Sequence, residues 1–249
     1  MPKMNDYGQP IGAPVPGWSP VALPTAQRLE GRYCTLEHLD PGQHADDLYV
    51  AYAAAPDDRD WTYLPYGPFS NPESYRVWAT AAAQSADPRH YAVIDHATGC
   101  ALGTLSLMRH DPAHGVIEVG NVVFSRSLQR TPISTEAQYL AMRYIFDDLG
   151  YRRYEWKCDS LNAPSHRAAE RLGFSYEGIF RQAVVYKGRN RDTAWFALID
   201  RDWPGVRDAF EHWLDPTNFD AEGNQRQALA VPVDYRRNAI RPSTARNPR

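Results

Sequence analysis

The chain has 249 residues, 43% of them hydrophobic, and carries 27 basic against 30 acidic side chains for a net charge of -3. That is enough apolar material for one substantial core with appendages, and so even a charge balance gives no reason to expect a nucleic acid as partner. Cys34, Cys100 and Cys158 stand far apart in strand-like runs, which reads as small core residues in a reducing compartment and sets aside a disulfide framework or a thiolate metal centre.

Residues 1–28 are rich in proline and are expected to be extended, pinned by Trp18. They lack the apolar core of a signal sequence, and no stretch approaches the ~18 apolar residues of a membrane helix, so a soluble cytoplasmic protein without a membrane partner is expected. LEGRYCTLEHLD (29–40) reads as a first strand, followed by helices over 41–55 and 72–84 that flank the aromatic loop WTYLPYGPF (61–69). Strands follow at 90–95, 101–109 and 115–124. His110, Asp111 and His114 lie in RHDPAHG, where Pro112 and Gly115 mark a strand connection and no second ligand cluster is present, so no metal is expected.

The strand ending at Phe124 runs into a helix whose apolar residues Ile133, Ala137, Leu140, Ala141, Tyr144, Ile145 and Leu149 recur at helical spacing. Thr131 suits its N-cap, Pro132 its first position, Glu136 adds first-turn negative charge, and Gly150 stops it. A helix start leaves backbone N–H groups without partners and carries partial positive charge, so the junction over 129–135 is placed to hold a phosphate. Taken alone this is weak, because every strand-to-helix junction has free N–H groups. Next comes a strand through Tyr154, Trp156 and Cys158, then a helix from the Asn162 cap to Leu172 that ends at Gly173. Strands at 175–186 and 192–200 flank a hairpin turn at 187–190, and Val206, Phe210, Trp213 and Leu214 mark a short amphipathic helix. Six arginines follow Gly223 without interleaved aromatics, which reads as a disordered end and not as a nucleic-acid arm.

The run STEA at 134–137 followed by LNAPSHRAAERLGF at 161–174 resembles the GNAT superfamily of acyl-CoA-dependent N-acyltransferases, and within it the RimJ/RimL-type protein acetyltransferases. The likeness extends from about residue 29 to 203, leaving 1–28 as an extended segment and 204–249 as a C-terminal helix with a polar tail. It implies an α/β fold with a mixed, mostly antiparallel central sheet flanked by helices, and acetyl-CoA as cosubstrate. One departure concerns the pyrophosphate loop. Its usual form Q/R-x-x-G-x-G/A is here Gln129, Arg130, Thr131, Pro132, Ile133, Ser134, so proline stands in place of the central glycine and one backbone donor is lost. The N–H groups of Thr131, Ile133, Ser134 and Thr135, the Thr131 hydroxyl and the Arg130 guanidinium are the expected compensation.

The resemblance also implies that the strand at Val122, Val123 and Phe124 splays from its neighbour and offers backbone groups to pantetheine and thioester, with Asn162 on the opposite side. Ser165 matches the serine proposed as general acid in RimL-like enzymes; equally, it reads as a first-turn residue that helps cap its own helix. Glu118 is the candidate base, with the alternative of a carboxylate bonded at a sheet surface. Strand alternation puts it and Asn121, a candidate substrate contact, on opposite faces unless a bulge intervenes. Trp61, Tyr63, Tyr66 and Phe69 are placed to wall the acceptor pocket, with Tyr186 as second proton donor, or else to be ordinary core. Carboxylates crowd residues 37–60, a face that draws in a cationic amine or is merely solvated.

A peptide α-amine is about 10% unprotonated at pH 7 against about 0.04% for lysine, which favours the α-amine when a single carboxylate is the base. The expected reaction is direct attack of a primary amine on acetyl-CoA, the amine being a protein N-terminus. The alternatives are a small-molecule amine or a non-catalytic acyl-CoA-binding module.

Overall fold

The computed structural model describes residues 3–232; the expected disordered end falls mainly on residues outside that span. A two-strand hairpin, β1 (Lys3–Met4) and β2 (Pro10–Ile11), precedes an eight-stranded sheet. The sheet contains β3 (Arg28–Glu30), β4 (Cys34–His38), β5 (Arg89–Asp95), β6 (Ala101–Asp111), β7 (Val116–Phe124), β8 (Arg153–Asp159), β9 (Ser175–Tyr186) and β10 (Arg189–Ile199). Its order is β3-β4-β5-β6-β7-β8-β10-β9, antiparallel throughout except for the parallel pair β7 and β8. The mixed, mostly antiparallel sheet expected for the chain is therefore the sheet it has.

Helices cover both faces. On one side α1 (Pro41–Ala53) and α2 (Pro72–Gln84) pack over Ala92, Ala101 and Val123. On the other, α3 (Pro132–Arg143), α4 (Ala163–Arg171) and α5 (Trp203–Trp213) close a larger core with Leu36, Val93, Leu107, Ile117, Val119 and Trp156. The helix starts follow from local sequence. Asp40, Asn71, Thr131 and Asn162 each accept an N–H of their own first turn, and at α2 Ser74 returns a bond to Asn71 as a capping box. The β9–β10 turn needs only Lys187 and Gly188, both at positive φ (47° and 69°), the geometry that matches strand twist; β10 thus begins at Arg189, earlier than the spacing suggests.

Three expectations are corrected. The first residues are not simply extended, because Asn5 gathers the N–H groups of Tyr7 and Gln9 into the β1–β2 turn. Trp18 does pin the segment, its Nε1 donating to Ala113 O at 3.0 Å beneath the Arg152 guanidinium. The helix through 149 is α-helical only to Arg143 and then widens into a π turn, Tyr144–Asp148, closed by Leu149 N–H donating to Tyr144 O. From that turn the Tyr144 hydroxyl accepts from the N–H of Thr25 and Ala26, and Asp147 accepts from Trp203 Nε1. Glu136 is not a first-turn charge, since it lies one turn into α3, whose first turn holds no acidic residue. It is buried, and its carboxylate accepts the N–H groups of Arg32, Tyr33 and Cys34 at 2.7, 2.7 and 2.8 Å, holding the β3–β4 turn to α3. Gly31 is required there, since a Cβ would lie 2.6 Å from the Glu136 carboxyl carbon.

Candidate active site

The sheet opens between its two parallel strands. They pair only from Val116 with Arg153 to Val119 with Trp156; beyond that point β7 continues along β6 and β8 along β10. A bulge begins the divergence. Gly120 faces Ser106 and Val123 faces Thr104, so Asn121 and Val122 together oppose Leu105, with Asn121 at φ 50°. Since Ser125 N–H donates to Leu102 O, the period of two turns the backbone groups of Val122 and Phe124 away from β6 and into the gap. The Val123 carbonyl accepts from the Tyr52 hydroxyl at 3.1 Å and that of Phe124 from Gln129 Nε2 at 2.8 Å. Gln129 therefore supports the strand end.

On the face covered by α3 and α4, each helix follows one of the two diverging strands, α3 after β7 and α4 after β8. Thr131 Oγ1 donates to Leu128 O at 2.7 Å and stands 3.4 Å from Ser134 N, and the Ser134 hydroxyl donates back to Thr131 O at 2.8 Å. Arg130 adopts the left-handed conformation, φ 63°. Among the described residues neither the Thr131 nor the Ile133 N–H has an acceptor. Thr135 is buried, and its hydroxyl takes a 3.1 Å bond from Arg171, a neighbour not anticipated from sequence. Asn162 Oδ1 accepts the Ser165 N–H at 3.2 Å, leaving its amide NH2 unused among the described residues. Ser165 Oγ accepts from Trp156 Nε1 at 2.9 Å. An indole only donates, so the serine keeps its own proton for another acceptor; the cap of α4 is Asn162, and Ser165 contributes to it only the N–H that Asn162 accepts.

Glu118 projects from the opposite face, since Ile117 and Val119 belong to the α3 core. It is 5% exposed and lies with Lys157 (2.9 Å) and Arg109 (3.1 Å) at Oε2. This buried oxygen is thus held in two ion pairs. Burial pushes the Glu118 carboxyl above its ordinary range, and the charges of Lys157 and Arg109 oppose that rise. The bulge brings Asn121 to the same face. Its Nδ2 reaches Ser106 Oγ at 2.9 Å and Met108 Sδ at 3.8 Å, the strand partners of Gly120 and Glu118. Tyr186 is buried and donates to Asp159 at 2.8 Å; burial first, then Asp159, pushes its hydroxyl up to about 12.

The aromatic loop divides. Trp61, Tyr66 and Phe69 pack with Tyr52, Tyr75 and Trp78 into the core under α1 and α2, whereas the Tyr63 hydroxyl donates to Leu161 O at 3.1 Å, next to the α4 start. Lys187 and Arg189 of the β9–β10 turn donate to the carbonyls of Trp61 and Thr62, and Arg126 pairs with Asp60 at 2.8 Å. Most of the carboxylates at 37–60 are engaged locally: Glu37 with Arg28, Asp46 with Arg76, Asp57 with Arg59, Asp40 at its cap. Sequence reading missed Lys157, Arg109 and Asp159. A signal existed, because Glu155, Lys157 and Asp159 alternate with apolar Tyr154, Trp156 and Cys158, the pattern of a charged face on a buried strand. No helix among the described residues is long and apolar enough to cross a membrane.

A family model described as an acetyltransferase (GNAT) domain matches residues 34–175. Over 115 residues the chain is 29% identical to an uncharacterized N-acetyltransferase p20 of Bacillus licheniformis, an alignment covering 46% of this chain and 64% of that protein. It is 27% identical over 109 residues to the putative ribosomal N-acetyltransferase YdaF of Bacillus subtilis, covering 44% of this chain and 59% of that one. The matches thus span less than two thirds of these curated relatives. Among solved structures, a GCN5-related N-acetyltransferase from Brucella melitensis superposes with a TM-score of 0.84 at 47% identity, covering 86% of this chain and 97% of that one. A probable GNAT-family acetyltransferase from Chromobacterium violaceum follows at 0.73 and 39%, covering 79% and 98%. With the matched segment taking in more than half of the sequence and both sides of the β7–β8 gap, the chain belongs to the GNAT acetyltransferase family.

Proposed function

We propose that this protein transfers the acetyl group of acetyl-CoA to a primary amine, with a protein N-terminal α-amine as acceptor. The observation that carries the reading is the gap between β7 and β8, with two helix starts on one face and a buried, ion-paired carboxylate on the other. Acetyl-CoA supplies the thioester. The free N–H groups of Thr131 and Ile133, with Ser134, Thr135 and the Arg130 guanidinium, hold its pyrophosphate at the start of α3. The gap-facing backbone of Val122 and Phe124, with neighbouring Val123 and the free amide of Asn162, orients the pantetheine, and backbone N–H groups stabilise charge that builds on the carbonyl oxygen.

Glu118, directly or through a water, takes a proton from the arriving ammonium; the amine then forms the N–C bond as the C–S bond breaks. Ser165, its oxygen held by Trp156, gives its hydroxyl proton to the leaving thiolate and regains one from the proton that the acylated nitrogen sheds. Asn121 and Tyr63 border the acceptor side, and Tyr186, held protonated by burial and Asp159, serves as a second proton donor only if that bond is exchanged. The α-amine is favoured because one carboxylate suffices for a group with a pKa near 8, and because a ribosomal N-acetyltransferase is among the similar proteins.

The test is thiol release from acetyl-CoA at pH 8 against short peptides and small amines, comparing the wild type with Glu118→Gln and Ser165→Ala. Turnover on peptides that both variants lose while CoA binding survives is the expected result. Turnover on small amines alone would move the acceptor class. No turnover on any acceptor, despite micromolar CoA binding, would sink the enzyme reading in favour of an acyl-CoA-binding module.

A further inference from the structure

Glu118 and Glu155 are register partners across the parallel β7–β8 pair, two carboxylates facing each other in a buried layer. Left alone, one of them would take up a proton to relieve the repulsion. Lys157, two residues along β8 on the same face, stands between them. Its Nζ lies 2.9 Å from Glu118 Oε2, 2.6 Å from Glu155 Oε2 and 3.7 Å from the centre of the Trp195 ring, and its side chain is 6% exposed. An ammonium is compact and carries three donors, so it can serve two carboxylates and an aromatic face together. Arg153 fixes the arrangement from behind, binding Glu155 Oε1 at 2.7 Å and leaving Oε2 to the lysine.

We propose that Lys157 is a positioning residue, which fixes the Glu118 carboxylate at the mouth of the gap and keeps it ionised so that it can accept a proton. The proposal rests on the reading of Glu118 as the base. The charged groups that face Glu118 are Lys157 and Glu155 from β8 and Arg109 from β6. Arg109 is 60% exposed, so water and salt screen its charge, whereas nothing screens Lys157. The lysine is therefore the stronger of the two counter-charges, and Glu155 acts against it.

The test is a titration of the Glu118 side-chain carboxyl by 13C NMR, with labelled glutamate and assignment by the signal absent in Glu118→Gln. Lys157→Met raises the Glu118 midpoint by about 1 to 3 pH units; Lys157→Arg brings it back toward wild type, and Glu155→Gln moves it down. A midpoint that moves with neither Lys157→Met nor Glu155→Gln overturns the proposal. If Lys157→Met does not fold, Glu155→Gln decides alone, an unmoved or raised midpoint counting against the idea. Thiol release separates this from the base reading. Full turnover by Glu118→Gln removes Glu118 as base whatever the titration gives, while lost turnover with an unmoved midpoint in the lysine variant removes only the role of Lys157.

Discussion

Pro132→Ala should tighten CoA binding while weakening the fold slightly. Proline at the first position of α3 supplies no N–H, and of the remaining first-turn donors Ser134 is already drawn toward Thr131 Oγ1 at 3.4 Å. Alanine adds no atom that proline lacks in the side chain, and it returns one amide at the place proposed to hold the pyrophosphate. A hydrogen bond to a charged acceptor contributes about 1.5–3 kcal/mol. Phosphate oxygens shared with the Thr131 and Ile133 donors lower this, so a gain of about 1–2 kcal/mol, roughly 5- to 30-fold in Kd, is the working figure. Removing proline's restriction on the unfolded chain costs about 0.4–1 kcal/mol of stability. Calorimetric titration with CoA measures the first effect and urea unfolding the second. Dephospho-CoA should show the same gain, because it keeps the pyrophosphate. Unchanged or weaker binding by Pro132→Ala would refute the account, and would mean that the ring itself shapes the loop that Arg130 enters at positive φ.

Glu136→Ala leaves three backbone N–H groups of the β3–β4 turn without their acceptor, of which the Cys34 N–H is buried, and should cost about 1–3 kcal/mol; a urea-unfolding loss below about 1 kcal/mol would contradict the clamp. Phe210→Ala empties the stack in which α5 meets Tyr139 and should destabilise by about 3–5 kcal/mol in the same assay. His90 is buried against Trp78, and burial, then His38, lowers its pKa from 6.5 to about 4. Between those values the unfolded chain binds a proton that the folded one refuses, so stability is full above pH 6.5 and falls by up to about 3 kcal/mol as pH drops to 4. Unfolding curves of His90→Leu across that window should lose this share of the slope; an unaltered slope would show that other groups carry the acid sensitivity.

How much of this could be read from the chain depended on the distance over which each feature is decided. The start of α2 is fixed within Asn71, Pro72 and Ser74, the end of α4 by Gly173 at φ 94°, and the hairpin by Lys187 and Gly188, all local choices. The gap itself came from the resemblance, which put the splayed strand at Val122–Phe124, while local sequence marked only its flanks, the Thr131 and Asn162 caps, and its bulge at Asn121 was a condition that strand alternation could name but not decide. Glu118 stood out as a carboxylate, yet its partners arrive from β6 and β8, and pairing across strands leaves no mark in spacing. Trp61, Tyr66 and Phe69 looked available to a ligand. The inner faces of α1 and α2 present small residues such as Ala45, Ala79 and Ala82, and the loop's aromatic rings fill the space those leave.

The short pairing of β7 with β8 also makes the sheet a jointed plate. Five strands lie on one side of the joint and three on the other, and four residue pairs are the only rungs between them. Shear and thermal flexing concentrate along such a line, where backbone bonds are fewest. A pantetheine arm bonded to both lips, as proposed above, would act as a splint across it, and the thiol product, keeping that arm, would stiffen the plate equally. On that proposal, departure of the spent carrier would have to unlace the splint, and would be the step at which the two plates are free to part.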